Sequence, residues 1–151
     1  MKVLSLSVEQ VESIMRRLDF MKVEAGDISR FTSMTQAEYM LDRDRRRSLE
    51  RLVENVVNAS IDVVKIVLSA GDLPIPDTYR DLMLQAGMAG FIEGGLAERL
   101  AEMTRLRNIL AHQYLDIRWV GLRAFVDEAP TLVKEFIRSI EDLLNEAGGS
   151  R

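Results

Sequence analysis

Apolar residues recur along this chain at intervals of three and four, the spacing that stacks side chains on one face of a helix. Val8, Val11, Met15 and Leu18 form the first such row. Ser7-x-x-Gln10 has the form of a capping box, so a helix is predicted to open at Ser7 and to stop near Gly26. A second box, Thr35-x-x-Glu38, predicts a long helix running towards Gly71. Its expected buried row is Leu49, Leu52, Val56, Val63 and Val67, with Ser60 filling a small gap.

The stretch "GDLPIPDTYR" is the clearest break in the pattern. Gly71 can end a helix in the left-handed region, and Pro74 and Pro76 block its continuation. Asp77 is expected to cap a short helix through about Ala86. Past the glycines of "GMAGFIEGGL", one helix is expected from about Leu96 to the region of His112. A last segment, from about Asp116 to Leu144, offers Phe125, Val126, Val133, Phe136, Ile140 and Leu143 to the core, and Pro130 should kink or divide it. The tail, about 146–151, is expected to fray. These elements predict an all-α fold, an antiparallel four- to five-helix bundle in a single domain spanning 1–151; an irregular helical domain is the rival arrangement.

Composition narrows the class. At 151 residues, with 47% hydrophobic and 29% charged, the chain can bury one core without staples. It has no cysteine and one histidine, so disulfides, thiol nucleophiles and the usual zinc constellations cannot be built from a single chain. Neither a secretory apolar core nor the ~18 apolar residues of a membrane span is present, and a cytoplasmic location is expected. The net charge of −4 does not suit a protein that attracts nucleic acid by its overall field. Between Arg99 and Arg123, however, five arginines face only Glu102 and Asp116, which makes a locally basic region. The run "DRDRRR" (Asp42 to Arg47) has an ordinary account as a solvated face with local ion pairs.

The basic region holds "RNILAHQY", residues 107 to 114, with the chain's single histidine. On one ideal helix from 96 to 114, Arg107 and Tyr114 fall within the apolar row of Leu96, Leu100, Met103 and Leu110. His112 lies about 140° from Arg107 on that projection, closer to Asn108. A guanidinium keeps its charge when buried, so Arg107 must reach solvent, pair with a carboxylate such as Asp44 or Asp116, or line a pocket. Tyr114 alone reads as a half-buried residue with its hydroxyl at the surface.

In its order and helical setting, Arg107, "NILA", His112, Gln113, Tyr114 resembles the signature of the HEPN superfamily, in particular its HepT-like branch: Arg, four residues, His, one residue, Tyr. Asn108 matches the polar residue that commonly follows the arginine. "LDRDRRRSLERL" resembles the segment opening that family's second long helix, and "LPIPDTYRDLMLQAG" its proline turn and short helix, so the similarity covers about residues 41 to 144. The resemblance implies a homodimeric helical bundle and a metal-independent endoribonuclease with no cofactor, the toxin of a toxin–antitoxin pair. It also implies a small nucleotidyltransferase antitoxin that silences the toxin by attaching adenylyl groups to the motif tyrosine, here Tyr114.

Metal-free RNA cleavage calls for a base at the 2′-hydroxyl, an acid at the leaving 5′-oxygen and positive charge at the phosphorane. His112 suits acid or base work near neutral pH. Arg107 is the candidate phosphate clamp, and Asn108 a supporting residue that orients the imidazole or contacts the phosphate. One chain offers one histidine, so two chains about a two-fold axis are expected to share a cleft. An adenylyl group on Tyr114 would place negative phosphate beside Arg107, in competition with RNA. Arg43, Arg45, Arg46 and Arg47 are candidates to extend the RNA track. Two other readings fit the same residues: a non-catalytic subunit that presents substrate to a nucleotidyltransferase, and a helical oligomerisation domain in which Arg107 and Tyr114 stabilise an interface.

Overall fold

The computed structural model describes residues 4–149. Its first helix, α1 (Val8–Ile28), opens on the full capping box: Gln10 N donates to Ser7 Oγ (3.1 Å) and Ser7 N donates to Gln10 Oε1 (2.8 Å). The buried face is not the predicted one. Ile14, Leu18, Met21, Ala25 and Ile28 point inward, while Val8 and Met15 are exposed and only Leu18 belongs to both rows. Neighbouring rows on this helix are both partly apolar, and packing against the rest of the bundle selects the one rotated by about 80°.

The long helix predicted from Thr35 is two helices. Thr35 caps α2 (Gln36–Leu41) alone; Asp42 is extended (φ −95°, ψ 94°), and its carboxylate accepts from Arg45 N at 3.1 Å, capping α3 (Arg43–Ala70). Arg46 donates to the carbonyls of Tyr39 (3.1 Å) and Met40 (3.0 Å), which lie in the last turn of α2. The charge run therefore makes the break, with one aspartate serving an N-terminus and one arginine serving a C-terminus. Along α3, Leu49, Val56, Val63 and Val67 are buried and Leu52 is half-buried, while the Ser60 hydroxyl donates to Val57 O at 2.7 Å.

After α3 the left-handed residue is Asp72 (φ 58°), not Gly71 (φ −84°). Gly71 is needed for space: a Cβ there would come within 2.8 Å of Phe91 Cζ. Thr78, rather than Asp77, caps α4 (Tyr79–Met88), its Oγ1 accepting from Asp81 N at 3.1 Å. Glu93 caps α5 (Gly94–Met103), accepting from Gly95 N (2.9 Å) and Leu96 N (3.2 Å), and those two bonds hold its carboxyl below the usual range. The expected single helix to His112 is divided at Thr104, where α6 (Arg105–His112) begins. The last helix, α7 (Leu115–Gly149), is not divided by Pro130. Phe125, Val126, Val133, Phe136 and Ile140 are buried on it and Leu143 is partly buried. Of the tail expected to fray, 150–151 lie outside the described residues.

The result is an all-α bundle of seven helices among the described residues, the count exceeding expectation because Asp42 and Thr104 each divide one helix into two. α3 packs against α1, α4 and α6, and α7 packs along α1, α5 and α6, so α6 is held between the two longest helices. Leu18, Leu49, Leu68, Leu82, Leu100, Leu122 and Phe136 fill the centre. Among the described residues no helix is long and apolar enough to cross a membrane.

Candidate functional site

The motif occupies α6 and the turn after it, and both ends of α6 are set locally. At its start the Thr104 hydroxyl donates back to Ala101 O (2.6 Å), and Arg107 N bonds to Thr104 O (3.3 Å) in a tightened turn. At its end Gln113 leaves the helix (φ −100°, ψ 160°) after its N–H bonds to Ile109 O at 3.0 Å. Tyr114 lies outside α6; its carbonyl accepts from Ile117 N (3.1 Å) and Arg118 N (3.0 Å) as α7 begins. The projection that set Tyr114 beside Arg107 assumed one straight helix, and that helix does not exist. Tyr114 is 84% exposed rather than half-buried.

Arg107, Asn108 and His112 line one groove of about 760 Å³, closed on its other sides by Thr78 and Tyr79 at the start of α4 and by Asn58 on α3. The 140° between Arg107 and His112 does not separate them, because the groove is wide enough to be lined by both, with Asn108 and Ala111. His112 is exposed as the last residue of α6, and Arg107 is half-buried. Arg107 pairs with neither Asp44 nor Asp116. Its guanidinium carbon stands 4.5 Å from the centre of the Tyr79 ring, and Lys65 Nζ stands 5.1 Å from the same ring. Hydrogen bonding to Arg107 and its charge, followed by the charge of Lys65, hold the Tyr79 phenol below its ordinary 10.

Tyr79 is the site residue that sequence reasoning missed. Its position after the proline turn, beside the Thr78 cap, was the available signal, but its partners come from two other helices.

A second set of side chains fixes the turn between His112 and Tyr114. Arg118 Nε donates to the Gln113 carbonyl at 2.8 Å, and its Nη1 lies 3.3 Å from Glu50 Oε2. Glu50 also accepts from the hydroxyl of Tyr39, a fully buried side chain whose ring lies 5.3 Å from that of Trp119. Burial first, then the bond to Glu50, raise the Tyr39 phenol well above its ordinary value. Residues of α2, α3 and α7 thus clamp the single residue that joins the motif histidine to the motif tyrosine.

The four arginines at the start of α3 divide. Arg45 pairs with the Glu38 carboxylate and stands over the Phe31 ring, and Arg46 is spent on the end of α2. Arg43 and Arg47 are exposed and make no ion pair among the described residues. Arg47 lines a separate groove, on the same face of α3 as Asn58 and about 16 Å along the helix from it.

Solved structures of toxin–antitoxin proteins share this helical bundle. The tri-AMPylated HEPN toxin of Shewanella oneidensis, in complex with an MNT antitoxin, superposes with a TM-score of 0.75 at 21% identity, over 86% of this chain and 97% of that one. A toxin–antitoxin complex with AMP-PNP gives 0.77 at 20% identity, over 87% and 98%. None of the curated proteins compared with the chain matches it. The family model described as "Ribonuclease HepT-like" matches residues 21–140, and the chain belongs to that family.

Proposed function

We propose that this protein is a metal-independent endoribonuclease and the toxin of a toxin–antitoxin pair. The observation that carries the reading is the convergence of Arg107, Asn108 and His112 on one groove in a member of the HepT-like ribonuclease family. In the reaction His112 takes the proton of the 2′-hydroxyl, and the 2′-oxygen attacks the adjacent phosphorus. The bond to the 5′-oxygen breaks, leaving a cyclic phosphate. Arg107 binds the phosphate and stabilises its added charge, and Asn108 supports the imidazole or the phosphate. Exposed Arg43 and Arg47 extend the backbone track along α3; Arg45 and Arg46 serve the fold first.

Tyr114 is the acceptor for adenylyl groups from a small nucleotidyltransferase antitoxin. Its exposure supports that role, as does the modified state of the Shewanella toxin named above. The protein acts as a homodimer. Tyr114, just before α7, and Ile117 (47% exposed) and Val120 (69% exposed) on its first two turns leave a row of exposed apolar side chains, which a second copy would cover.

The test is purified protein against His112→Ala, incubated with RNA in the presence of a chelator. Wild type is expected to produce cyclic-phosphate ends and the variant to lose at least 10²-fold in rate. Intact RNA with wild type, or equal cutting by both, refutes the nuclease reading. Growth arrest on expression, relieved by His112→Ala, separates a toxin from a substrate-presenting subunit.

A further inference from the structure

We propose that the groove between α1 and α7 binds an amphipathic anion: a small molecule with a linear apolar body and one carboxylate. The groove holds about 500 Å³, within the ~300–1,000 Å³ of small-molecule sites. It shares no residue with the groove of Arg107 and His112, so this site stands or falls apart from the nuclease reading. Buried Ala25, Val133 and Ile137, with exposed Pro130, supply its apolar walls. Lys22, Lys134 and Arg138 are exposed at its edge, and none of them makes an ion pair among the described residues. Glu141 also lines the groove, so three cations against one anion leave +2 on a protein of net charge −4. The lining thus asks for an apolar body and a negative head together.

Gly26 and Pro130, of the two types that a helix interior tolerates least, line the groove from its two helices. The fold does not require glycine at position 26: its φ is not positive, and a Cβ there would meet nothing within 4 Å. A longer side chain would instead project into the groove. The direction of the ligand follows from the packing. Arg123 of α7 donates to the carbonyl of Met34, just past α1, and the groove brings 22–29 against 130–141, so the two helices run antiparallel here. Lys22 therefore lies at the end of Arg138 and Glu141, and Ser29, whose hydroxyl donates to Gly26 O, lies at the end of Pro130. The carboxylate goes to Lys22 and Arg138, with Lys134 one turn away, and the body runs over Gly26 towards Pro130 along about 10 Å of α1. A partner helix fits less well: at about 10 Å across, a length matching the groove occupies roughly 800 Å³. A second copy would bring the three cations of each chain together.

The probes are decanoate, decanol and inorganic phosphate, titrated calorimetrically into the full chain below the concentration at which decanoate forms micelles. Decanoate should saturate at one per chain. Decanol and phosphate, each with one half of the match, should bind at least about 10-fold more weakly. Gly26→Leu puts a good helix former where the groove is open, so its melting temperature should be no lower than wild type while its affinity for decanoate falls at least about 10-fold. Lys22→Gln/Arg138→Gln should lose as much affinity for decanoate and none for decanol. Decanoate that does not saturate at one per chain, or that binds Gly26→Leu as tightly as wild type, overturns the site. Decanol or phosphate binding as tightly as decanoate overturns the amphipathic anion as its ligand. A wild-type dimer that Gly26→Leu turns into a monomer overturns the proposal as well, because the groove is then a contact between copies.

Discussion

Gly87→Ala tests how tightly the groove's two walls are registered. A Cβ at Gly87 of α4 would stand 2.6 Å from the Ala97 Cβ of α5, whereas carbon atoms rest at about 3.5–4.0 Å. The helices must open by about 1 Å, because a methyl on each backbone has no rotamer through which to yield. Alanine gains up to ~1 kcal/mol of helix propensity over glycine. Overpacking of a fitted contact costs about 1–3 kcal/mol, so a net loss of about 1–2 kcal/mol is expected. For a chain of this size that lowers the melting temperature by about 3–6 °C.

The consequence extends beyond stability, since α4 begins at Tyr79 and α5 leads through Thr104 into the helix of Arg107. A displacement of about 1 Å between reacting groups can cost ~10²-fold in rate. Urea titration and RNA cleavage should therefore both fall in Gly87→Ala and both recover in Gly87→Ala/Ala97→Gly, which moves the methyl to the other side of the same gap. The coupling between the two sites should be at least about 1 kcal/mol. A single variant as stable as wild type, or a double variant no better than the single, refutes the account.

Two further predictions concern the clamp behind the motif. Because the Tyr39 phenol is raised in the folded protein, the native state keeps a proton that the unfolded chain loses above its ordinary ~10; stability is full below that pH and declines by up to ~1.4 kcal/mol per pH unit above it. Urea titrations at pH 8 and 11 should show that slope reduced in Tyr39→Phe, and an equal fall in both proteins would contradict it. Glu50→Ala strands the buried Tyr39 hydroxyl and unpairs Arg118, side chains of the ion pair being only 17% and 25% exposed. It should cost about 2–4 kcal/mol in equilibrium unfolding, with a loss under about 0.5 kcal/mol refuting the network.

What was legible in the sequence was mostly local. Ser7 with Gln10, and Thr35 with Glu38, are separated by less than one helical turn, and the caps they signalled are present. Asp42 carried an equally local signal, masked by the charge run around it. The inward face of α1 was not legible, because two rows compete and only tertiary packing chooses between them. Placing Tyr114 failed for a sharper reason. A projection carries phase from residue to residue, and the breaks at Thr104 and Gln113 reset it. Tyr79 was invisible for the opposite reason: its significance lies in Arg107 and Lys65, which reach it from α6 and α3 across the fold.

A second chain was expected because one histidine cannot serve as both base and acid. The exposed apolar side chains of Tyr114, Ile117 and Val120 are where such a chain would sit. Chemistry and assembly then become separable. Val120, 69% exposed, belongs to the row of Tyr114 and Ile117 but not to the groove of Arg107 and His112. Val120→Asp places a charge where a partner would have to desolvate it, at a cost of several kcal/mol, and it should shift sedimentation from dimer to monomer. If base and acid come from one chain, that monomer cleaves RNA at a rate within a few-fold of wild type. If the cleft is shared, cleavage is lost with the dimer, so the monomer's rate decides between an active site and half of one.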